Sequence, residues 1–181
     1  MSVAVYVMPL TTWLEGRFQT VFGAGGASPR PRRTVEDVFQ SLREFGGLLD
    51  RVLASRPELT DTGPALSATI FSLEGFAGPF DLAQRWSYRL KLPLLCALLE
   101  PPQIWLPVKF EHVFRVAAPW RPESEVAVAS SAGVLAELQR LGAAILKEER
   151  PDLDETERVA GRLRESAALG LEHGLPVIVE S

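Results

Sequence analysis

SATIFSLEGFAGPFDLAQRWSYRLKLPLLCALLE, residues 67–100, decides how this chain is layered. Residues 67–74 mix β-branched and apolar side chains with small polar ones, and they read as a strand. Gly78 and Pro79 then read as a helix start, because proline suits the first helical position. Leu82, Trp86 and Leu90 recur at helical spacing with Ala83 beside them, while Asp81, Arg85 and Arg89 form a second, charged stripe. Leu92–Leu99 is apolar on both faces, which predicts a central strand. The stretch from 75 to 92 is long enough for a crossover helix. The two strands are therefore expected to be parallel neighbours joined by a right-handed connection.

That placement supplies the first candidate site. Glu74 ends one predicted strand and Glu100 ends the next, so both carboxylates are expected at the same carboxyl edge. Adjacent strands lie under about 5 Å apart, which brings the side chains within roughly 5–10 Å of each other. Ligands of open α/β sheets bind at that edge. A carboxylate pair there suits a divalent cation, acid–base chemistry or a basic side chain from a partner. The competing account is plain: strands end at water, and glutamate is common at water.

Working outward, residues 2–8 (SVAVYVM) read as a strand stopped by Pro9. Trp13, Arg17 and Phe18 give residues 12–22 helical spacing. GAGGASPRPRR, residues 23–33, reads as a mobile loop carrying Arg30, Arg32 and Arg33. Thr34 is a suitable cap for a long helix closed by Arg56 and Pro57. Residues 103–117 look strand-like with a bend at Pro107, the mark of an edge or a bulge, and 126–129 suit a short strand. Two amphipathic helices follow, near 131–149 and 153–172, and LPVIVE supplies a last strand. The predicted fold is α/β: a single layered domain over 1–181, with a mixed, partly parallel sheet and helices packed on it.

Composition narrows the function classes. The chain has 181 residues and a formal net charge of -4, so a broad nucleic-acid-binding face is not expected. Cys96 is the one cysteine. It excludes an internal disulfide and reads as a small buried hydrophobe. With two histidines besides, no zinc site of conventional make-up is expected, and no other metal or cofactor is implied. GAGGAS lacks the Gly-Lys-Ser/Thr ending of a phosphate loop, and no G-x-S-x-G nucleophile elbow is present. The N-terminus has no basic segment of a signal peptide, and no apolar run is long enough to span a bilayer. A soluble, cytoplasmic protein without a membrane partner is expected. The Arg-over-Lys bias, 16 to 3, with abundant Ala, Gly and Pro, suggests a bacterial coding preference.

Two further residue types bear on function. His112 shares a face with Phe110, Phe114 and Val116 at strand spacing, so a hydrogen-bonded core histidine is expected there. His173, beside Gly174, suits the last turn of a helix, where a positive charge complements the dipole. Trp105 and Trp120 sit in proline-punctuated segments, where a ring stays partly exposed, and Trp and Arg are frequent at binding hot spots. Trp13 and Trp86 read as core.

The favoured expectation is a non-catalytic domain that binds another protein, with an immunity-type inhibitor of a protein toxin as the concrete case. Trp105, Trp120 and Arg121 would anchor it, and Glu74, Glu100 and Glu123 would meet basic groups. The enzyme alternative is a small hydrolase or transferase using Glu74 and Glu100, with His112 or Arg115 assisting at the same cleft. A third expectation is a structural subunit of a homo-oligomer, joined through the edge near residues 103–117.

Overall fold

The computed structural model describes residues 1–14, 63–118, 121–148 and 150–181, of which 11, 14, 116–118 and 121–124 are described by their backbone alone. The predicted loop at 23–33, the long helix opening at Thr34, most of the helix at 12–22 and Trp120 lie outside the described residues.

The N-terminal run of β-branched residues forms β1 (Ser2–Val7), and α1 (Leu10–Leu14) follows Pro9. β2 (Ser67–Ser72) pairs antiparallel with β1. It stops at Ser72, whose hydroxyl caps α2 (Leu73–Arg85) by accepting from the Gly75 N–H at 3.0 Å. The helix therefore opens six residues before Pro79, which sits inside it. Two short helices follow, α3 (Ser87–Leu90) and α4 (Pro93–Ala97). The chain then makes β3 (Gln103–Leu106), β4 (Phe114–Ala118) and β5 (Arg121–Ser130). Two long helices, α5 (Ser131–Glu148) and α6 (Asp154–His173), are joined through a 3₁₀ turn at Pro151–Leu153, and β6 (Val177–Glu180) closes the chain. Gly174 takes the left-handed conformation that ends α6, at φ 66°.

The six strands form one mixed sheet in the order β2-β1-β6-β3-β5-β4. Among the described strands only β3 and β5 are parallel neighbours; every other adjacent pair is antiparallel. Helices pack on the sheet, so the expected α/β class holds, but the expected parallel pair does not. Residues 93–97, read as the core of a central strand, are α4 instead.

Alternation along the strands sorts the core into two layers. Val3, Val5, Val7, Phe71, Trp105, Ala127, Ala129, Val177 and Val179 face one way. Against them pack Phe76 and Phe80 of α2, Leu95 of α4, Val134 and Leu138 of α5, and Val159 and Leu163 of α6. The opposite face buries Ala4, Tyr6, Ile104, Leu106, Val126, Val128 and Ile178 with Leu10 and Trp13. The Trp13 indole N–H donates to Glu180 Oε1 at 2.6 Å inside that second layer. Full burial of Trp13 agrees with its expected core role, whereas Trp86 is half-buried with the Arg89 guanidinium 4.4 Å above its ring.

Candidate functional site

The glutamate pair is the first placement to correct. With 93–97 helical, Glu100 stands in the approach to β3 and Glu74 in the first turn of α2, after β2. Both lie on the same rim, because β2 ends where β3 begins. Yet β1 and β6 stand between the two strands. Three strand spacings amount to about 14 Å, so the juxtaposition that the enzyme alternative needed is not formed. His112 is exposed in the irregular segment between β3 and β4, so it is not the core residue that strand periodicity predicted.

Trp105 is also corrected as a contact residue. It is 0% exposed at the centre of the first core layer. Its N–H donates to Gln103 Oε1 at 3.0 Å, and the Gln103 amide nitrogen donates to the Glu100 carbonyl at 3.4 Å. That chain of bonds satisfies the indole without solvent. Arg121 and Glu123 fall in the first half of β5, among the residues described by backbone alone, and are brought to none of the other candidates.

Two features near α4 escaped the sequence reading. Glu137, on α5, is buried, and its carboxylate accepts from the Leu94 N–H at 3.2 Å and the Leu95 N–H at 2.9 Å. It thereby caps α4, 42 to 43 residues away in the chain. Burial pushes the Glu137 carboxyl above its ordinary range, against the opposing pull of those two N–H groups and of Arg140. Burial, helped by the Glu137 charge, pushes the Cys96 thiol up as well, so the thiol is held in its protonated form rather than primed as a nucleophile. At the end of β5, the Ser130 hydroxyl donates to the Val108 carbonyl at 2.5 Å and accepts from the Gly133 N–H at 3.3 Å. The Ser131 hydroxyl next to it is buried without a partner among the described residues.

Among the described residues a concave surface lies elsewhere, where α5 meets α6. The two helices approach closely at Gly142: a Cβ there would fall 2.0 Å from the Arg164 guanidinium. Arg164 reaches over the glycine to the Leu138 carbonyl at 3.4 Å and to Glu157 at 2.6 Å. Beyond that contact the helices part toward their connecting turn. A cleft of about 430 Å³ opens there, lined by Ile145, Leu146, Pro151, Arg150, Asp154, Glu157 and Arg158. Its lining is apolar from Ile145, Leu146 and Pro151, and Leu146 is 69% exposed. Its charged residues balance, two arginines against two acids. The arginines are oriented from outside the cleft, Arg150 by Asp152 and Arg158 by Glu155, in bidentate pairs. Among the described residues no cluster of three or more His, Cys, Asp or Glu is arranged to hold a metal. No described helix is long and apolar enough to cross a membrane.

No family model, no curated protein and no solved structure matches the chain.

Proposed function

We propose that this chain is a non-catalytic protein-binding domain and that the α5–α6 cleft is its contact point. The observation that supports this reading is the exposed Leu146 beside a concave apolar lining rimmed by charges of both signs. Such a dent accepts one apolar side chain of a partner while the rim sets its register electrostatically. The net charge of -4 favours a partner with a basic surface, and inhibition of a basic protein toxin is the concrete case. Glu74, Glu100 and Glu123 would then act in steering a basic partner, and tryptophan anchoring would rest on Trp120 rather than Trp105.

The test has two steps. A partner retained by the immobilised chain is identified and purified. Its affinity is then measured by calorimetry against wild type and Leu146→Asp. Loss of about 1.4 kcal/mol or more, a tenfold weakening, is expected. Unchanged affinity for the Leu146→Asp chain rejects the cleft as the contact point.

A further inference from the structure

We propose that the outer edge of β2 pairs antiparallel with β2 of a second copy, joining two six-stranded sheets across a two-fold axis. The inference does not depend on the binding reading above. Among the described residues β2 is a terminal strand, hydrogen-bonded to β1 alone. The Leu73 N–H bonds the Met1 carbonyl at 3.1 Å, which sets the alternation along the pair. Ser67, Thr69 and Phe71 turn their peptide groups toward β1, and Ala68, Ile70 and Ser72 turn theirs outward.

Charge decides who the partner is. From Gly63 to Leu73 the chain carries no charged residue. In an isologous pair every residue meets a residue of the same set, so a charge near the axis would meet its own copy. Here none does. With Ile70 opposite its copy, the two Ile70 peptides exchange both hydrogen bonds, and Ala68 faces Ser72 on each side of the axis. The nearest charges, the two Glu74 carboxylates, fall at opposite ends of the ribbon, roughly 25 Å apart. The same pairing shields Ile70, which is 47% exposed in the single chain. Neutral, self-compatible and apolar, the edge fits its own copy and offers nothing to orient a strongly charged foreign strand.

The opposite edge gives the internal control. β4 carries exposed Arg115 and has a register shift between Ala117 and Ala118. Both features block strand addition. The exposed residues leading into β4 are Lys109, Glu111 and His112.

Sedimentation equilibrium tests the proposal with the full chain. The mass should climb from the single-chain 19.9 kDa toward twice that value across the micromolar range, as befits a small interface. Ile70→Lys places like charges at the axis on a side chain already half in water. It should keep the far-UV circular dichroism spectrum and remain a monomer throughout. Lysine placed instead at Tyr88, which is 99% exposed on α3, past the end of α2 remote from β2, should leave the dimer intact. A wild-type chain that stays monomeric at about 100 µM overturns the proposal, and so does an Ile70→Lys chain that still dimerises.

Discussion

The two ends of this sheet are built by opposite rules. At the β4 end a charged residue points from the strand, the ladder is interrupted, and Arg115 reaches to the Ala97 carbonyl at 3.1 Å, tying the strand to the end of α4. At the β2 end six residues pair in unbroken register without a charge, a proline or a bulge. Sheets blunt their edges because an open ladder accepts any strand that reaches it. Among the described residues one edge is blunted and the other is bare, and the bare one is where the proposed pairing falls. Sequence pattern marks candidate strands; only the strand order shows which two of the described strands are terminal.

The largest effect that sharpens the contrast comes from two neighbouring residues of β2. Phe71 points into the first core layer, with its ring centroid 6.4 Å from that of Phe76, while Ile70 points to the half-wet opposite face. Phe71→Ala should cost about 3–5 kcal/mol. Ile70→Ala should cost under about 1 kcal/mol, because little burial is lost. Urea unfolding below the dimerisation range measures both. Equal losses would mean that Ile70 is covered in the monomer, and the distinction between the two edges would fail.

Next in size is Glu137→Ala, which acts at the β4 end alone. It strands the Leu94 and Leu95 N–H groups in a buried site, at about 2–4 kcal/mol. Hydrogen exchange should quicken in α4 and β4 before it does in β2; uniform quickening would show that the two ends melt as one unit. The pH dependence has a definite sign. The folded Glu137 carboxyl sits above its unfolded value, so the folded state holds the proton more tightly. Its contribution to stability falls as pH rises through the window between the two values and is recovered on acidification. Asp152 and Glu155 behave oppositely, since their arginine partners lower them and their contribution is lost in acid. Subtracting the profile of Glu137→Gln from that of wild type removes those shared contributions. A difference that does not grow in favour of wild type on acidification would contradict the burial-driven shift.

The α4 cap also explains what could be read in advance. α5 and α6 are legible because their periodicity runs long enough to choose a period, and β1 and β6 because β-branched residues settle a short apolar run as a strand. Ser72 reads as strand interior, although its hydroxyl is a cap and starts α2 early. PLLCALL misleads because a short run apolar all round suits a buried strand and a buried helix equally well. Pro93 at the first turn was the available hint; the deciding partner, Glu137, is remote in sequence. Trp105 failed for a related reason. Flanking prolines suggested exposure, but Gln103, two residues away on the same face, satisfies its N–H internally. The cleft could not be read at all. Leu146 is one residue off the buried stripe of α5, and its meaning depends on how Gly142 lets α6 approach.

The smallest expected change in stability tests why the β4 edge is closed. Arg115 is exposed, and its one bond to the Ala97 carbonyl is worth about 0.5–1.5 kcal/mol, so Arg115→Val should lower stability by no more than that. Its effect on association should be larger. Valine leaves the strand reading FVVAA, apolar and favourable to β structure, and gives the sheet two open ends. A chain open at both ends adds subunits without closure, so light scattering at about 100 µM should report species beyond the dimer. Adding Ile70→Lys to that chain should cap growth by removing the β2 contact. If Arg115→Val scatters no more than wild type, the bulge between Ala117 and Ala118 is the guard, and charge at this edge is incidental.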